Sequence, residues 1–267
     1  NLPFKEIKKF IINNKINESN KIRLVLVPTL YGSGSESTQF AVCYINKKKF
    51  SISNKKLKAK KVWHLKNINN SIPKSIKIAN ILDCFCQASE SLTSKNKNSI
   101  SIDSAKKCIS LLYTNSTNYI LNNDEKSYKN IIKASELSGK AISISKTTGP
   151  HALSYFLTIN YNFPHGIAVG WCFVFFLNIY TKFNPKEAFL LIKFYQKLFK
   201  FKDVFKSLNS FFKLIKFNIP ETSEFILNNV NIDKWINDIN IQRLSNGPKF
   251  AMDKKLLRIE LGKYLKS

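Results

Sequence analysis

The apolar residues change their spacing at Pro73, and this change constrains the fold more than any other feature of the chain. Before it, the short runs "IRLVLVPT", "QFAVCYI", "FSIS" and "KVWHL" alternate with clusters of Gly, Ser, Asn and Lys, the texture of strands joined by loops. After it, "SIPKSIKIANILDCFCQASESL" opens on the helix-start residues Ser71 and Pro73, and Ile76, Ala79, Ile81, Leu82 and Phe85 recur at helical intervals. Amphipathic stretches over 101–122, 126–145, 165–182, 186–200, 202–216 and 252–266 predict more helices. The expected fold class is α+β, with an α/β portion over residues 1–73 and an all-helical domain over 74–267. No internal repeat or low-complexity linker interrupts the chain.

With 267 residues, 44% of them hydrophobic, the chain can bury a sizeable core. Its net charge of +26 would suit nucleic acid, but the lysines are spread along the whole length among many Asn and Ile, which AT-rich codons favour. A solvated basic surface is the expectation, and a nucleic-acid binder the weaker alternative. The five cysteines have no framework spacing, and Cys84 and Cys86 would leave one helix in different directions, so neither disulfides nor a chelating pair is expected. The apolar run "IAVGWCFVFFLNIY" is shorter than the ~20 residues of a membrane span and reads as a buried helix. A cytoplasmic protein without membrane or nucleic-acid partners is expected. The first residue is Asn1 rather than Met, which predicts a longer parent protein.

Two stretches could carry chemistry. Asp83 and Gln87, four apart on a predicted helix, project from one face. Two of the three histidines, His151 and His165, bracket a short predicted helix and the turn after it. A carboxylate, two imidazoles and an amide oxygen suit a divalent cation such as Fe²⁺ or Zn²⁺, although single histidines also serve as caps or core residues. The loop "VPTLYGSGSES" follows a strand and could present backbone N–H groups to a phosphate, or could be an ordinary Gly/Ser turn. His64, in "KVWHLKN", reads as structural.

Together these stretches resemble a known family. The order "PTxxGxGSE", then "D-x-x-x-Q-A-x-E-S", then "H-A-x-S … F-P-H-G" is similar to the PTTAGTGSE, DAxxHAxE and HxxxHxxxxxxxxPHG motifs of the iron-containing (group III) alcohol dehydrogenases, and "INIQRLSNGPKFAMDKKLLRIEL" extends the likeness. The resemblance implies a partial Rossmann-like region followed by the helical domain in the dehydroquinate synthase-like arrangement. It implies metal ligands at Asp83, His151 and His165, with Gln87 where most members have a third histidine. Thr29, Gly32, Ser33, Gly34, Ser35 and Thr38 would line an NAD or NADP cofactor, and Lys49 would be a catalytic lysine. Pro164 and Gly166 would shape the turn that brings His165 back to His151.

Departures from the family pattern carry their own expectations. Leu30 and Tyr31 replace Thr-Ala and are expected to crowd the nicotinamide side of the loop. Tyr155 stands where many members place another histidine. The family's Gly-Gly-Gly-Ser pyrophosphate loop does not occur in the chain. Gln87 together with "KTTGPHALSY" resembles the phosphonoacetaldehyde reductase branch, which implies a phosphonate substrate held by Lys146, Thr147 and Thr148. The resulting expectation is a metal-dependent, NAD(P)-linked aldehyde reductase acting as a homodimer on a small molecule. A catalytically impaired remnant without dinucleotide affinity stays open beside it.

Overall fold

A computed structural model describes residues 23–45, 48–65, 68–248 and 253–266, together with Lys9 and Ile11. The β-branched runs form β1 (Val25–Leu26), β2 (Phe40–Ile45), β3 (Lys48–Ser53) and β4 (Lys61–Val62). β1 pairs with β4 in parallel, Val25 opposite Lys61, while β2 and β3 form an antiparallel ribbon with Phe40 opposite Ser53. The loop between β1 and β2 contains a short 3₁₀ turn, Ser35–Ser37.

From Lys74 onward the described chain is helical. The helices are α1 (Lys74–Thr93), α2 (Ser99–Leu121), α3 (Glu125–Ser145), α4 (Gly149–Tyr161), α5 (His165–Phe183), α6 (Phe189–Phe199) and α7 (Val204–Leu214). They are followed by α8 (Ile219–Asn229), α9 (Ile232–Asn237), α10 (Ile241–Leu244) and α11 (Lys254–Tyr264). The last turns before the C-terminus include three short helices, α8 to α10, that apolar periodicity does not reveal. Their signal is in the caps: Asn218, Asn231 and Asn240 each accept a hydrogen bond from the backbone N–H three residues on, which satisfies a donor that a helix start leaves open.

α1 is the axis of the domain. It packs against α2, α3, α5 and α6, and every residue from Ile81 to Thr93 is buried. Its apolar side chains feed an aromatic core in which Phe85 stacks on Phe211 at 4.5 Å and meets Phe173 edge-on. A helix enclosed on several sides must satisfy its polar groups internally. Ser89 accordingly meets the Tyr195 hydroxyl and Ser91 meets Ser145. α5 has 19 residues and is apolar enough by length and composition to cross a membrane, but 72% of its most apolar stretch is buried inside the protein, against α1 and α4.

The five cysteines are free, as the lack of framework spacing predicts, and Cys84, Cys86, Cys108 and Cys172 are buried. His64 is structural in its contacts: Nδ1 lies 3.3 Å from the Tyr31 hydroxyl and Nε2 lies 3.2 Å from Glu136. Tyr31 departs from expectation. Its ring is fully buried against His64 and Tyr128, since an aromatic ring in a polar loop gains most by turning into the core, and it leaves the exposed side of the loop to Leu30.

Candidate metal centre

Three helices deliver the candidate ligands. Asp83 lies in the middle of α1, His151 is the third residue of α4, and His165 is the first residue of α5. α4 ends at Asn162 in the left-handed conformation (φ 52°), and Pro164 then starts α5, so the chain reverses within a few residues. Gly166 does not shape this turn. It lies inside the first turn of α5, where a Cβ would overlap the backbone carbonyl of Ala79 on α1. Its role is to let α5 approach α1 closely, which places His165 near Asp83.

One ligand atom from each of Asp83, His151 and His165 falls within 4.8 Å of the other two. The two imidazole centroids are 5.5 Å apart and their planes cross at 73°. His151 Nε2 lies 3.1 Å from Asp83 Oδ1, and His165 Nδ1 is 3.4 Å from the Thr158 hydroxyl. Two nitrogens and one carboxylate oxygen converging in a mostly buried position make a donor set suited to a first-row divalent ion, so the residues fit the group.

The second layer is as well defined. Glu90, buried and two turns beyond Asp83 on α1, accepts from His151 Nδ1–H with a separation of 2.5 Å. Its other oxygen accepts from the Thr148 backbone N–H and, at 2.9 Å, from the Thr148 hydroxyl. One carboxylate therefore anchors both the start of α4 and the metal-facing ring on it. Burial works against charge on His151, but the adjacent Glu90 and Asp83 carboxylates outweigh it and hold the imidazole above its usual value. Burial likewise favours the neutral Asp83 carboxyl, yet hydrogen bonding from His151, the His165 and His151 charges and the Gln87 amide keep it below the carboxylate range.

Gln87 reaches the site through Asp83. Its Nε2 donates to Asp83 Oδ1 at 3.1 Å, and its amide oxygen accepts from Ser138 Oγ at 2.8 Å. The atom expected to coordinate an ion is thus engaged by α3, because Ser138 offers the only hydroxyl bonded to Gln87 among the described residues. The Thr148 hydroxyl, expected on a substrate, is fully buried and given to Glu90. Thr147 Oγ1 accepts from Arg243 at 2.6 Å, and Lys146 is exposed at the end of α3 with φ 59° and ψ 166°. Such a backbone conformation is comfortable only for glycine.

The expected cofactor loop divides in two. Thr29, Ser33 and Ser35 are exposed, whereas Gly32, Gly34 and Thr38 are buried. Gly34, at φ 59°, lies against the backbone of Ser135 and Gly139, so the loop is seated directly on α3. Lys49 pairs with Tyr44 across the β2–β3 ribbon, and its side chain lies outside the described residues.

Comparison with known proteins accords with this geometry. Residues 77–245 match the model of the Fe-containing alcohol dehydrogenase family, C-terminal. The chain belongs to the iron-containing alcohol dehydrogenase family. Among curated members it is 26% identical over 153 residues to the phosphonoacetaldehyde reductase of Streptomyces viridochromogenes, covering 56% of this chain and 38% of that protein. It is 25% identical over 180 residues to the 4-hydroxybutyrate dehydrogenase of Clostridium kluyveri, covering 66% and 48%. The chain thus spans less than half the length of these two relatives.

Solved structures of the iron-containing alcohol dehydrogenase family share the fold. The sulfoacetaldehyde reductase of Bifidobacterium kashiwanohense, determined with NAD⁺, superposes with a TM-score of 0.84 at 23% identity, over 98% of this chain and 69% of that one. The iron-containing alcohol dehydrogenase of Thermotoga maritima gives 0.75 at 19% identity, over 96% and 68%. Two residues of this site carry no assigned role in the sequence reading, Glu90 and Arg243. Glu90 had a signal: Asp83, Gln87 and Glu90 at i, i+4 and i+7 form a polar stripe on a helix otherwise rich in apolar residues.

Proposed function

We propose that this chain is the metal-bearing part of an NAD(P)-linked aldehyde reductase acting on a short aldehyde that carries an anionic group, phosphonoacetaldehyde being the leading candidate. The observation that carries the reading is the convergence of Asp83, His151 and His165 from three helices. Asp83, His151 and His165 would hold Fe²⁺ or Zn²⁺, and the bound ion would supply Lewis-acid polarisation of the aldehyde carbonyl. The chain's own residues do the rest. Glu90 fixes the His151 ring with its Nδ1 proton outward, so that Nε2 faces Asp83. Tyr155 lies flat on His165 at 5.3 Å, with planes 6° apart, and limits the rotation of that ring.

The exposed Ser33 and Ser35 of the β1–β2 loop would face the NAD or NADP cofactor, and the packing of Gly34 on α3 would fix the loop's distance from the metal helices. Three relatives support the substrate class by their names, since phosphonoacetaldehyde, sulfoacetaldehyde and 4-hydroxybutyrate each combine a short chain with an acid group. The experiment is reduction of phosphonoacetaldehyde by the complete enzyme of which this chain is the metal-bearing part, loaded with Fe²⁺ or Zn²⁺ and followed by oxidation of NADH and NADPH. Turnover that disappears in His151→Ala is the expected result; turnover unchanged in that variant, or none with any metal, overturns the reading.

A further inference from the structure

Half-buried beside the metal helices is a cation that the sequence motifs do not single out. Arg243 lies on α10, whose N-terminal Asn240 caps it through the Arg243 backbone N–H. Its Nη1 donates to Thr147 Oγ1 and to the Tyr155 hydroxyl, both at 2.6 Å. The guanidinium carbon lies over the Tyr155 ring, 5.0 Å from its centroid, while Nη1 reaches the hydroxyl. The same ring stacks on the metal-facing His165. Arg243 is therefore one aromatic ring away from the candidate metal centre.

Three features distinguish this arginine from a surface charge. Among the described residues it forms no ion pair with a carboxylate, while nearby Arg258 pairs with Asp233. Among the described residues its side-chain bonds go to two neutral hydroxyls through Nη1, so there the positive charge is oriented but not neutralised, and Nε and Nη2 have no partner among them. That pair of nitrogens is the fork that binds the planar edge of an oxyanion through two parallel bonds. Its surroundings are also held: Asn246 donates to the Thr147 carbonyl at 3.0 Å and accepts the Lys95 backbone N–H at 2.8 Å, tying α10 to the end of α1 and the start of α4. Lys146, by contrast, is exposed.

We propose that Arg243 recognises the anionic group of the substrate, a phosphonate or sulfonate one or two carbons from the carbonyl, with Thr147 and Tyr155 as the hydroxyls that aim it. This inference rests on the aldehyde reductase reading above and names the residue that selects its substrate class. Lys146 contributes only to the diffuse positive field.

The test is calorimetric titration of the full chain with 2-hydroxyethylphosphonate, with Co²⁺ loaded and without, alongside the visible spectrum of bound Co²⁺. Arg243→Gln is expected to bind Co²⁺ like the wild type and to bind the phosphonate roughly ten- to a hundredfold more weakly. Arg243→Lys should recover part of the loss, and Lys146→Gly, which removes an exposed charge, should change affinity about fivefold or less. Phosphonate affinity unchanged in Arg243→Gln, an equal loss in Lys146→Gly, a lost Co²⁺ spectrum in Arg243→Gln, or no phosphonate binding by the wild type would each overturn the proposal. Failure of the wild type to bind Co²⁺ overturns the metal-centre reading instead, and the titration without metal still reports on Arg243.

Discussion

Glu90 Oε1 and His151 Nδ1 stand 2.5 Å apart in the interior, and the opposite nitrogen of the same ring points at Asp83. The contact gives α1 two functions, since it supplies a ligand and also sets the orientation of a ligand on another helix. A metal-facing imidazole is a good donor only while its second nitrogen keeps its proton, and a buried carboxylate enforces that tautomer.

Replacing this carboxylate should therefore weaken metal binding while preserving the fold. Glu90→Gln keeps the volume, but loses the charge that holds the Nδ1 proton and the Thr148 donors. Changes of this kind typically cost about ten- to a hundredfold in metal affinity. Competition with a chelator measures the change, and far-ultraviolet circular dichroism checks the fold. Affinity equal to the wild type would show that Glu90 only caps α4.

Gln87→His should act in the opposite direction. Position 87 is one turn from Asp83 on the same face, and an imidazole there can face the ion while its other nitrogen meets Ser138, which now binds the Gln87 amide. A gain on the order of tenfold is expected. Weaker binding in the same chelator competition would mean that Gln87 is needed where it is, as the donor that orients Asp83.

The seating of the β1–β2 loop on α3 depends on two glycines meeting backbone to backbone. A Cβ on Gly139 would overlap the Gly34 carbonyl oxygen and lie 3.0 Å from the Ser37 side chain. Gly139→Ala should therefore lift the loop and destabilise the protein by about 1–3 kcal/mol, the usual cost of overpacking. Urea denaturation measures this cost. The same variant should bind NAD(P) more weakly, with its Co²⁺ spectrum unaltered.

Glu36 gives a pH dependence. It is buried at the 3₁₀ turn of that loop, and desolvation raises its carboxyl above the ordinary value of 4.5, more than its own turn, His64 and Ser135 lower it. With the folded value above the unfolded one, the native state holds the proton more tightly. Its contribution to stability is complete below the unfolded value and is lost as pH rises through the folded one. Glu36→Gln should remove this loss, so that the melting temperature of the variant falls less between pH 4 and pH 7 than that of the wild type. Parallel melting curves across that range would refute the assignment.

The sequence by itself determined the switch from strand texture to helices at Pro73 and the lack of a disulfide framework among the cysteines, and its resemblance to a known family pointed to Asp83, His151 and His165, whose ligand atoms the fold brings together. Period and capping residues were legible because they are local, each written within one or two helical turns, whereas Asp83 and His151, 68 residues apart, were connected only by the order of the family's motifs. Tertiary structure decided the rest. Glu90 and His151 are 61 residues apart, and Arg243 is 88 from Tyr155, so no spacing rule connects them. The orientation of Gln87 depends on Ser138 from a different helix, and the inward turn of Tyr31 depends on Tyr128. The physical reason is common to all four: a buried polar or aromatic group takes the partner that packing brings within reach, and that partner is fixed only when the helices have assembled around α1.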